Sequence, residues 1–315
     1  MINRISHFAA ALIVWARTVH SACITASILL FALAVDASAQ QQKLAVVTTT
    51  GEVWARDLSP DTQTIGPGVR LNGSLFGDHD DQFVVASGML LNTPSSNGFT
   101  NIGVIGVITP SSFWPRQIDA GSLGAASQIT GVVSGPDAKY LLLRPDCGDE
   151  GFDRSQFFSV NARGEVWGKL YNEGDATFPN PLTGDLGGSI YQLNGPPLSG
   201  LPAKYVVLWT DQIFVINDAG EMWVHGLSST NPSIFNCTYG TVGAGRKLSG
   251  SLWSTRDDKY VVSGRDGVYV INNAGEVWLH TVTNDVIGDG VKMRGPSLFG
   301  GPNDKYVVTY FFGNP

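Results

Sequence analysis

Gly275–Trp278 reads Gly-Glu-Val-Trp, and this tetrapeptide returns along the chain. It recurs at Gly51–Trp54, at Gly164–Trp167 and, with methionine in place of valine, at Gly220–Trp223. The last three tryptophans are 56 and 55 residues apart, and the first gap of 113 residues is about two such periods, with Trp114 inside it. Periods of this length are typical of propellers, solenoids and arrays. The chain is therefore predicted to contain five copies of one unit.

A second repeated segment supports the same five units. It begins with one or two polar or charged residues, continues with an aromatic residue and ends in an aliphatic run. Its copies are Asp81–Val85, Lys139–Leu142, Lys204–Val207, Lys259–Val262 and Lys305–Val308. Several repeated segments in constant order indicate duplication of one module rather than chance similarity.

Each unit is predicted to form four short antiparallel strands, and the fifth unit shows them most clearly. Tyr260–Ser263 and Val268–Asn272 are short runs rich in valine, tyrosine and isoleucine. Asn273–Gly275 is a turn, Glu276–Val282 is the third strand, and Val291–Met293 opens the fourth. Four short antiparallel strands per repeat are the anatomy of a propeller blade.

The two ends of the chain predict how the ring closes. Leu44–Gly51 matches the second strand of a unit, whereas Lys305–Tyr310 matches the first strand and lacks the rest. One blade is therefore split between the ends, and pairing them satisfies the backbone groups that each edge would expose. An open solenoid would show distinct capping repeats instead. The sequence predicts an all-β, five-bladed propeller over residues 40–315, with the N- and C-terminal strands sharing one blade.

Residues 1–39 have the features of a secretory signal peptide. Arg4 and Arg17 precede the apolar run Ile24–Val35, and Ala37–Ala39 fits a small-residue cleavage site. The run is shorter than the ~20 residues that span a bilayer. An uncleaved anchor is the competing interpretation. We expect a secreted or periplasmic protein that does not insert into a membrane once the signal is removed.

The charge balance excludes nucleic acid as an expected partner. The chain has 20 basic and 27 acidic residues, a net charge of −7 at pH 7, whereas nucleic acid requires clustered lysine and arginine. It has no Gly-x-Ser-x-Gly elbow, no His-Glu-x-x-His pair and no phosphate-binding glycine loop. No cofactor is expected, and a binding protein is favoured over an enzyme. The oligomeric state stays open.

The Gly-x-aliphatic-aromatic hairpin at Gly164–Trp167 and its copies, the repeat length and the blade number resemble the five-bladed propeller lectins of the tachylectin type. The resemblance is one of architecture, so none of the sugar-contacting residues of those lectins is carried over. It implies a multivalent carbohydrate-binding protein. Several weak sites presented together would gain avidity on a glycan-coated surface.

A row of side chains on the third strand forms the candidate ligand surface. Positions two apart share one face of a strand, so the glutamate, the tryptophan and the residue two beyond it stand together. The candidate ligand-binding residues are Trp54 and Arg56, Trp114 and Arg116, Trp167 and Lys169, Trp223 and His225, and Trp278 and His280. The ring can stack on a sugar while the charged groups bind hydroxyls. In the structural alternative, the tryptophan fills the space between blades and the glutamate pairs with the basic residue.

An acidic loop that occurs once carries two further hypotheses. Asp146, Asp149 and Asp153 form a weak candidate metal site, for which a solvated loop is the alternative. A glycoside hydrolase or lyase would use unrepeated carboxylates such as Glu150, Asp153 or Glu173. No other metal site is expected, because His225 and His280 lack acidic or cysteine neighbours at ligand spacing.

Cys147 and Cys237 form a possible disulfide between neighbouring units, with two free thiols as the alternative. Among partners, glycans are expected first. A surface protein bound by a propeller without a small-molecule site is the second hypothesis.

Overall fold

The computed structural model describes most of the chain between residues 41 and 312. The described residues are 41–75, 83–93, 98–119, 121–144, 154–172, 189–209, 211–229, 239–252, 258–264, 267–299 and 304–312. The chain divides into residues 1–40 with Asn314 and residues 41–313 with Pro315, and all five blades belong to the second unit. The expected signal peptide lies outside the described residues and stays a prediction. Within the described part, no helix is long and apolar enough to cross a membrane.

The first blade combines both ends of the chain, as predicted. Strands are numbered from β1 to β25 along the sequence. β1 (Gln41–Thr48) pairs antiparallel with β2 (Val53–Ser59) on one side and with β25 (Asp304–Phe312) on the other, where Ala45 faces Val308. The outer edge of the blade consists of two short strands, β3 (Thr64–Ile65) and β4 (Val69–Arg70).

The other four blades repeat this plan with consecutive strands. The second contains β5 (Phe83–Thr93), β6 (Gly98–Thr109), β7 (Ser112–Asp119), β8 (Ser122–Leu123) and β9 (Ile129–Thr130). The third contains β10 (Ala138–Arg144), β11 (Arg154–Asn161), β12 (Val166–Asn172) and β13 (Tyr191–Gln192). The fourth contains β14 (Tyr205–Trp209), β15 (Gln212–Ile216), β16 (Met222–Ser229), β17 (Tyr239–Val242) and β18 (Arg246–Lys247). The fifth contains β19 (Asp258–Gly264), β20 (Gly267–Asn272), β21 (Val277–His280), β22 (Val282–Thr283), β23 (Val286–Ile287) and β24 (Val291–Lys292).

The five innermost strands close a ring. β25 contacts β5, β5 contacts β10, β10 contacts β14, β14 contacts β19, and β19 contacts β25. They surround a central channel of about 200 Å³ that valine and leucine side chains line together with Ser263 and Thr309. The chain is a five-bladed β-propeller, which confirms the predicted blade number and agrees with the architecture of the tachylectin type.

The hydrophobic core lies between the blades. Alternation along each strand sends apolar side chains to both faces of a blade, and each face packs on its neighbour. At the junction of the fifth and first blades, Tyr269 and Ile271 pack with Leu44 and Val46. The other four junctions contain equivalent clusters.

At four of the five junctions, the segment that leaves a blade binds the next blade through one repeated pair of backbone hydrogen bonds among the described residues. The Asn194 N–H donates to the Gly240 carbonyl, and the Val242 N–H donates to the Asn194 carbonyl, both at 2.8 Å. The same pair occurs at Asn72, Ser249 and Arg294. Because Arg294 links the fifth blade to the first, the ring closes with the same contacts that join its internal blades.

Candidate functional site

The five tryptophans occupy equivalent places near the start of the third strand, and each is half-buried. Four of them pack against the core that their blade shares with the preceding blade: Trp54, Trp114, Trp223 and Trp278. The structure therefore does not bring the tryptophans together in one site. It distributes them around the ring, one at each junction.

An asparagine fixes the turn before the tryptophan in three blades. The Asn272 side-chain oxygen accepts hydrogen bonds from the N–H groups of Ala274 at 3.0 Å and Glu276 at 2.9 Å. Its amide donates to the Glu276 carboxylate at 2.8 Å. Gly275 has φ 75°, a left-handed conformation that favours glycine. Asn161 and Asn217 make equivalent contacts, so the local sequence orients the glutamate.

Three of the glutamates, in the first, fourth and fifth blades, pair with basic residues of the outer strand. Lys247 Nζ lies 2.6 Å from Glu221 Oε1, and the hydrogen bond from Lys247 is the main cause that lowers the pKa of Glu221. Arg70 pairs with Glu52 and Lys292 with Glu276 in the same way. The sequence hypothesis that the partner is the residue two beyond the tryptophan is wrong in the fourth and fifth blades, because His225 and His280 bind backbone groups instead.

The basic side chain two positions beyond each tryptophan is wholly or partly buried. Arg56, Lys169, His225 and His280 are buried, and Arg116 is half-buried. Four of these side chains bind the carbonyl oxygen of a glycine at distances of 3.0 to 3.3 Å. The glycines are, in blade order, Gly66, Gly124, Gly243 and Gly288. Each bond supplies a polar partner that a buried polar side chain requires.

These glycines lie where the outer strand of four blades is broken in two, whereas the sequence predicts one short strand. Each lies between the two outer segments of its blade, for example Gly243 between β17 and β18. The chain also comes close to the buried side chain at this break. A Cβ atom on Gly245 would lie 2.5 Å from the His225 ring, and one on Gly290 would lie 2.6 Å from the His280 ring. The contacts of these residues are therefore structural, and ligand binding by them stays a prediction.

His280 provides a pH-dependent part of this packing. Its ring is 1% exposed, and Nδ1 bonds to the Gly288 carbonyl at 3.0 Å, while Nε2 has no partner among the described residues. Burial lowers the pKa of His280 below its usual value, although Gly288 and the charge of Asp289 oppose the shift. The folded protein therefore binds this proton less tightly than the unfolded chain does.

We expect stability to fall as the solution is acidified from about pH 7.5 to about pH 5.5. The stability from the neutral ring is fully present above the unfolded pKa of about 6.5 and is lost as the pH falls through the folded pKa, by at most about 1.4 kcal/mol per pH unit. Urea denaturation at both pH values measures the change. His280→Leu removes the titrating group, so the variant should show a smaller difference between the two values. An equal difference in both proteins would assign the effect to other groups.

The junction between the second and third blades differs from the others. Trp167 lines a groove of about 590 Å³ together with Pro110, Val132, Pro136 and Ile190. Gly135 lies against the base of the indole, because a Cβ atom there would be 2.3 Å from Trp167 Cγ. The polar groups of the lining include Ser134 and Asp137. Trp167 is therefore a candidate residue with adjoining space for a ligand, lined by described residues.

Two phenylalanines fill the core below this groove. The rings of Phe113 and Phe157 meet edge to face at 5.0 Å between centroids. Among the described residues, the cluster at this junction does not include Trp167, unlike the clusters at the other four junctions, each of which includes its tryptophan. The phenylalanines thus replace the tryptophan as the packing element.

An unrepeated polar cluster joins the third and fourth blades, and the sequence analysis missed it. Asp211 accepts hydrogen bonds from Arg144 at 2.8 Å and from the Tyr239 hydroxyl at 2.6 Å, and the Arg144 guanidinium lies 4.6 Å from the Tyr239 ring centroid. Gln156 and Tyr191 bond to the Tyr239 backbone, and burial raises the pKa of Tyr191 to about 12. The partners lie far apart in sequence, so only the fold brings them together.

The contact between Arg144 and Tyr239 is also relevant to the two cysteines. In the sequence Cys147 follows Arg144 by three residues and Cys237 precedes Tyr239 by two, and Arg144 and Tyr239 are in contact. Both cysteines lie outside the described residues, and the disulfide stays a prediction. The acidic residues Asp146, Asp149, Glu150, Asp153 and Glu173 also lie outside them. The described part contains no group of three histidine, cysteine or acidic side chains that could hold a metal ion.

Comparisons with known proteins do not assign a family. No protein-family model and no curated protein matches the chain. Among solved structures, human WBSCR16 is 13% identical with a TM-score of 0.31, over 81% of this chain and 78% of that one. AofleA from Arthrobotrys oligospora is 11% identical with a TM-score of 0.33, over 86% and 89% of the two chains.

Prp20p from Saccharomyces cerevisiae is 9% identical with a TM-score of 0.33, over 80% of this chain and 61% of that one. This chain thus spans about three fifths of Prp20p. Identities and scores this low transfer no function, so the site is argued from its own residues.

Proposed function

We propose that this chain is an exported, non-enzymatic carbohydrate-binding propeller. The observation that supports the proposal is the half-exposed tryptophan at every junction. In three blades it follows a turn that an asparagine fixes and that carries hydrogen-bonding groups. An indole ring offers an apolar face for the C–H groups of a sugar, and the carboxylate, amide and hydroxyl groups near it can bind sugar hydroxyls. Small-molecule sites combine these features: apolar and aromatic walls with a few placed polar groups.

Repetition favours binding over catalysis. A glycosidase needs two carboxylates at set positions across one bond, so its blades must differ where those acids stand. Here the glutamates of the first, third, fourth and fifth blades occupy one repeated position, and three of them bind a basic residue of the outer strand. A carboxylate held in an ion pair of this kind is suited to positioning the basic side chain beside it rather than to transferring a proton.

Calorimetric titration with neutral monosaccharides and disaccharides tests the proposal. The panel contains glucose, galactose, mannose, fucose and N-acetylglucosamine and their common disaccharides. We expect at least one member to bind with a dissociation constant in the micromolar to millimolar range, which corresponds to about −8 to −4 kcal/mol. Heats of dilution alone for every sugar, joined by a negative glycan array, would remove the proposal.

A protein partner is the second candidate, and the start of the innermost strands favours it. Four lysines there lie 5.3 to 5.6 Å from the ring of the adjacent tyrosine, at one end of the central channel. The lysines are Lys139, Lys204, Lys259 and Lys305. Lys204 also pairs with Asp258 at 2.8 Å. A surface of lysine and tyrosine side chains fits an acidic protein surface. A propeller that binds no sugar in the titration would leave this candidate in place.

A further inference from the structure

We infer that the groove at Trp167 is the single saccharide site of this propeller and that it takes a neutral sugar. This inference rests on the proposed function and replaces five similar sites by one. The inference depends on two differences between the third blade and the others: the residue that faces the tryptophan, and the packing of the tryptophan itself.

The first difference is the residue that faces the tryptophan from the outer strand. In the first, fourth and fifth blades this residue is basic: Arg70 faces Trp54, Lys247 faces Trp223, and Lys292 faces Trp278. Each basic side chain also binds the glutamate of its blade. The Lys247 ammonium lies 5.3 Å from the Trp223 ring, within the range of a cation–π contact. A ligand at these three junctions would have to displace a charged side chain.

The third blade lacks this cation. Gln192 faces Trp167, and Glu165 is bound from its own turn by Asn161 at 2.6 Å and Arg163 at 2.9 Å. The glutamate therefore keeps its partners without a side chain that bridges it to the outer strand. An exposed, neutral amide remains next to the ring.

The second difference is packing. Trp114 of the second blade has no basic cross-strand neighbour in a described strand pair, but it packs on the core shared with the first blade. Trp167 instead borders the groove, because Phe113 and Phe157 fill the core of its junction. The third junction thus combines an absent cation with an unfilled space.

The chemistry of the lining selects the ligand class. Trp167, Pro110, Val132 and Ile190 are apolar, and Asp137 contributes a carboxylate. No lysine or arginine belongs to the lining among the described residues, so an anionic sugar would meet an acidic group without a compensating charge. A volume of about 590 Å³ is within the usual range for small-molecule sites, roughly 300 to 1,000 Å³. A neutral monosaccharide or disaccharide is compatible with both the charge of the lining and the volume of the groove.

The decisive variant is Gln192→Lys, which gives the third blade the residue of the fourth. The new lysine would reach Glu165 as Lys247 reaches Glu221, and it would lie over the ring of Trp167. The tightest-binding sugar of the neutral panel is titrated into wild type, Gln192→Lys, Trp167→Ala and the matched control Lys247→Gln. We expect one bound sugar per chain in wild type, at least tenfold weaker binding in Gln192→Lys and in Trp167→Ala, and unchanged binding in Lys247→Gln.

Gln192→Lys alters an exposed residue, so it keeps the test valid if Trp167→Ala fails to fold. Wild-type affinity in Gln192→Lys, or a stoichiometry near five in wild type, would overturn the single site and leave the proposed carbohydrate function intact. A wild-type protein that binds no sugar of the panel overturns the proposed function and this inference together.

Discussion

Deletion of residues 304–315 is expected to leave the protein unfolded. The deletion removes β25, which pairs with β1 over its whole length and forms the innermost strand of the first blade. Val307 is 7% exposed and Tyr310 is 1% exposed, and their burial alone contributes about 5 kcal/mol. A domain has a total stability of about 5 to 15 kcal/mol. The loss of this strand therefore removes a large share of the total and opens the ring.

Near-ultraviolet circular dichroism and urea denaturation measure this effect. Deletion of residues 313–315 alone is the control, since it leaves β25 intact and should keep the wild-type denaturation midpoint. A cooperative transition near the wild-type midpoint in the longer deletion would show that the first blade does not depend on β25.

Gly106→Ala is expected to destabilise the protein by about 3 kcal/mol. A Cβ atom at this position would lie 2.2 Å from Phe113 Cε2, and Phe113 is 1% exposed. The ring cannot retreat easily, because it packs edge to face against Phe157. Overpacking of this kind forces shifts in side chains and backbone. The free energy of unfolding from urea denaturation measures the cost.

Gly226→Ala is the matched control for this substitution. Gly226 also lies in a strand, β16, but a Cβ atom there meets nothing within 4 Å. Alanine also has less conformational freedom to lose on folding, so this variant should be neutral or up to about 1 kcal/mol more stable. Equal destabilisation by both substitutions would mean that the Phe113 contact is not the cause.

The architecture could be predicted because it depends on local, repeated signals. The Gly-Glu-Val-Trp copies marked the turn and third strand, and a left-handed glycine such as Gly275 is required at that turn in each of them. The chain ends matched different strands of the same unit, which predicted the pairing of β1 with β25. These signals need no knowledge of contacts between distant residues.

The site was harder to predict because it depends on such contacts. The sequence placed Trp, Glu and the basic residue two positions later on one face, but it could not show that a glycine carbonyl of the outer strand binds that residue. The register that sets Gln192 opposite Trp167 also comes from the fold. Once the pairing of the outer strand with the third strand is known, the sequence shows that Gln192 stands where the fourth and fifth blades have Lys247 and Lys292.

Hydroxyl-radical footprinting with peptide mass spectrometry tests most directly where the sugar binds. The protein is labelled with and without a saturating amount of the tightest-binding neutral sugar. Protection should be confined to the peptides that contain Trp167 and residues 131–138, while Trp54, Trp223 and Trp278 should label equally in both samples. Protection spread over all five tryptophans, or unchanged labelling of Trp167 in the presence of bound sugar, would contradict a single groove between the second and third blades.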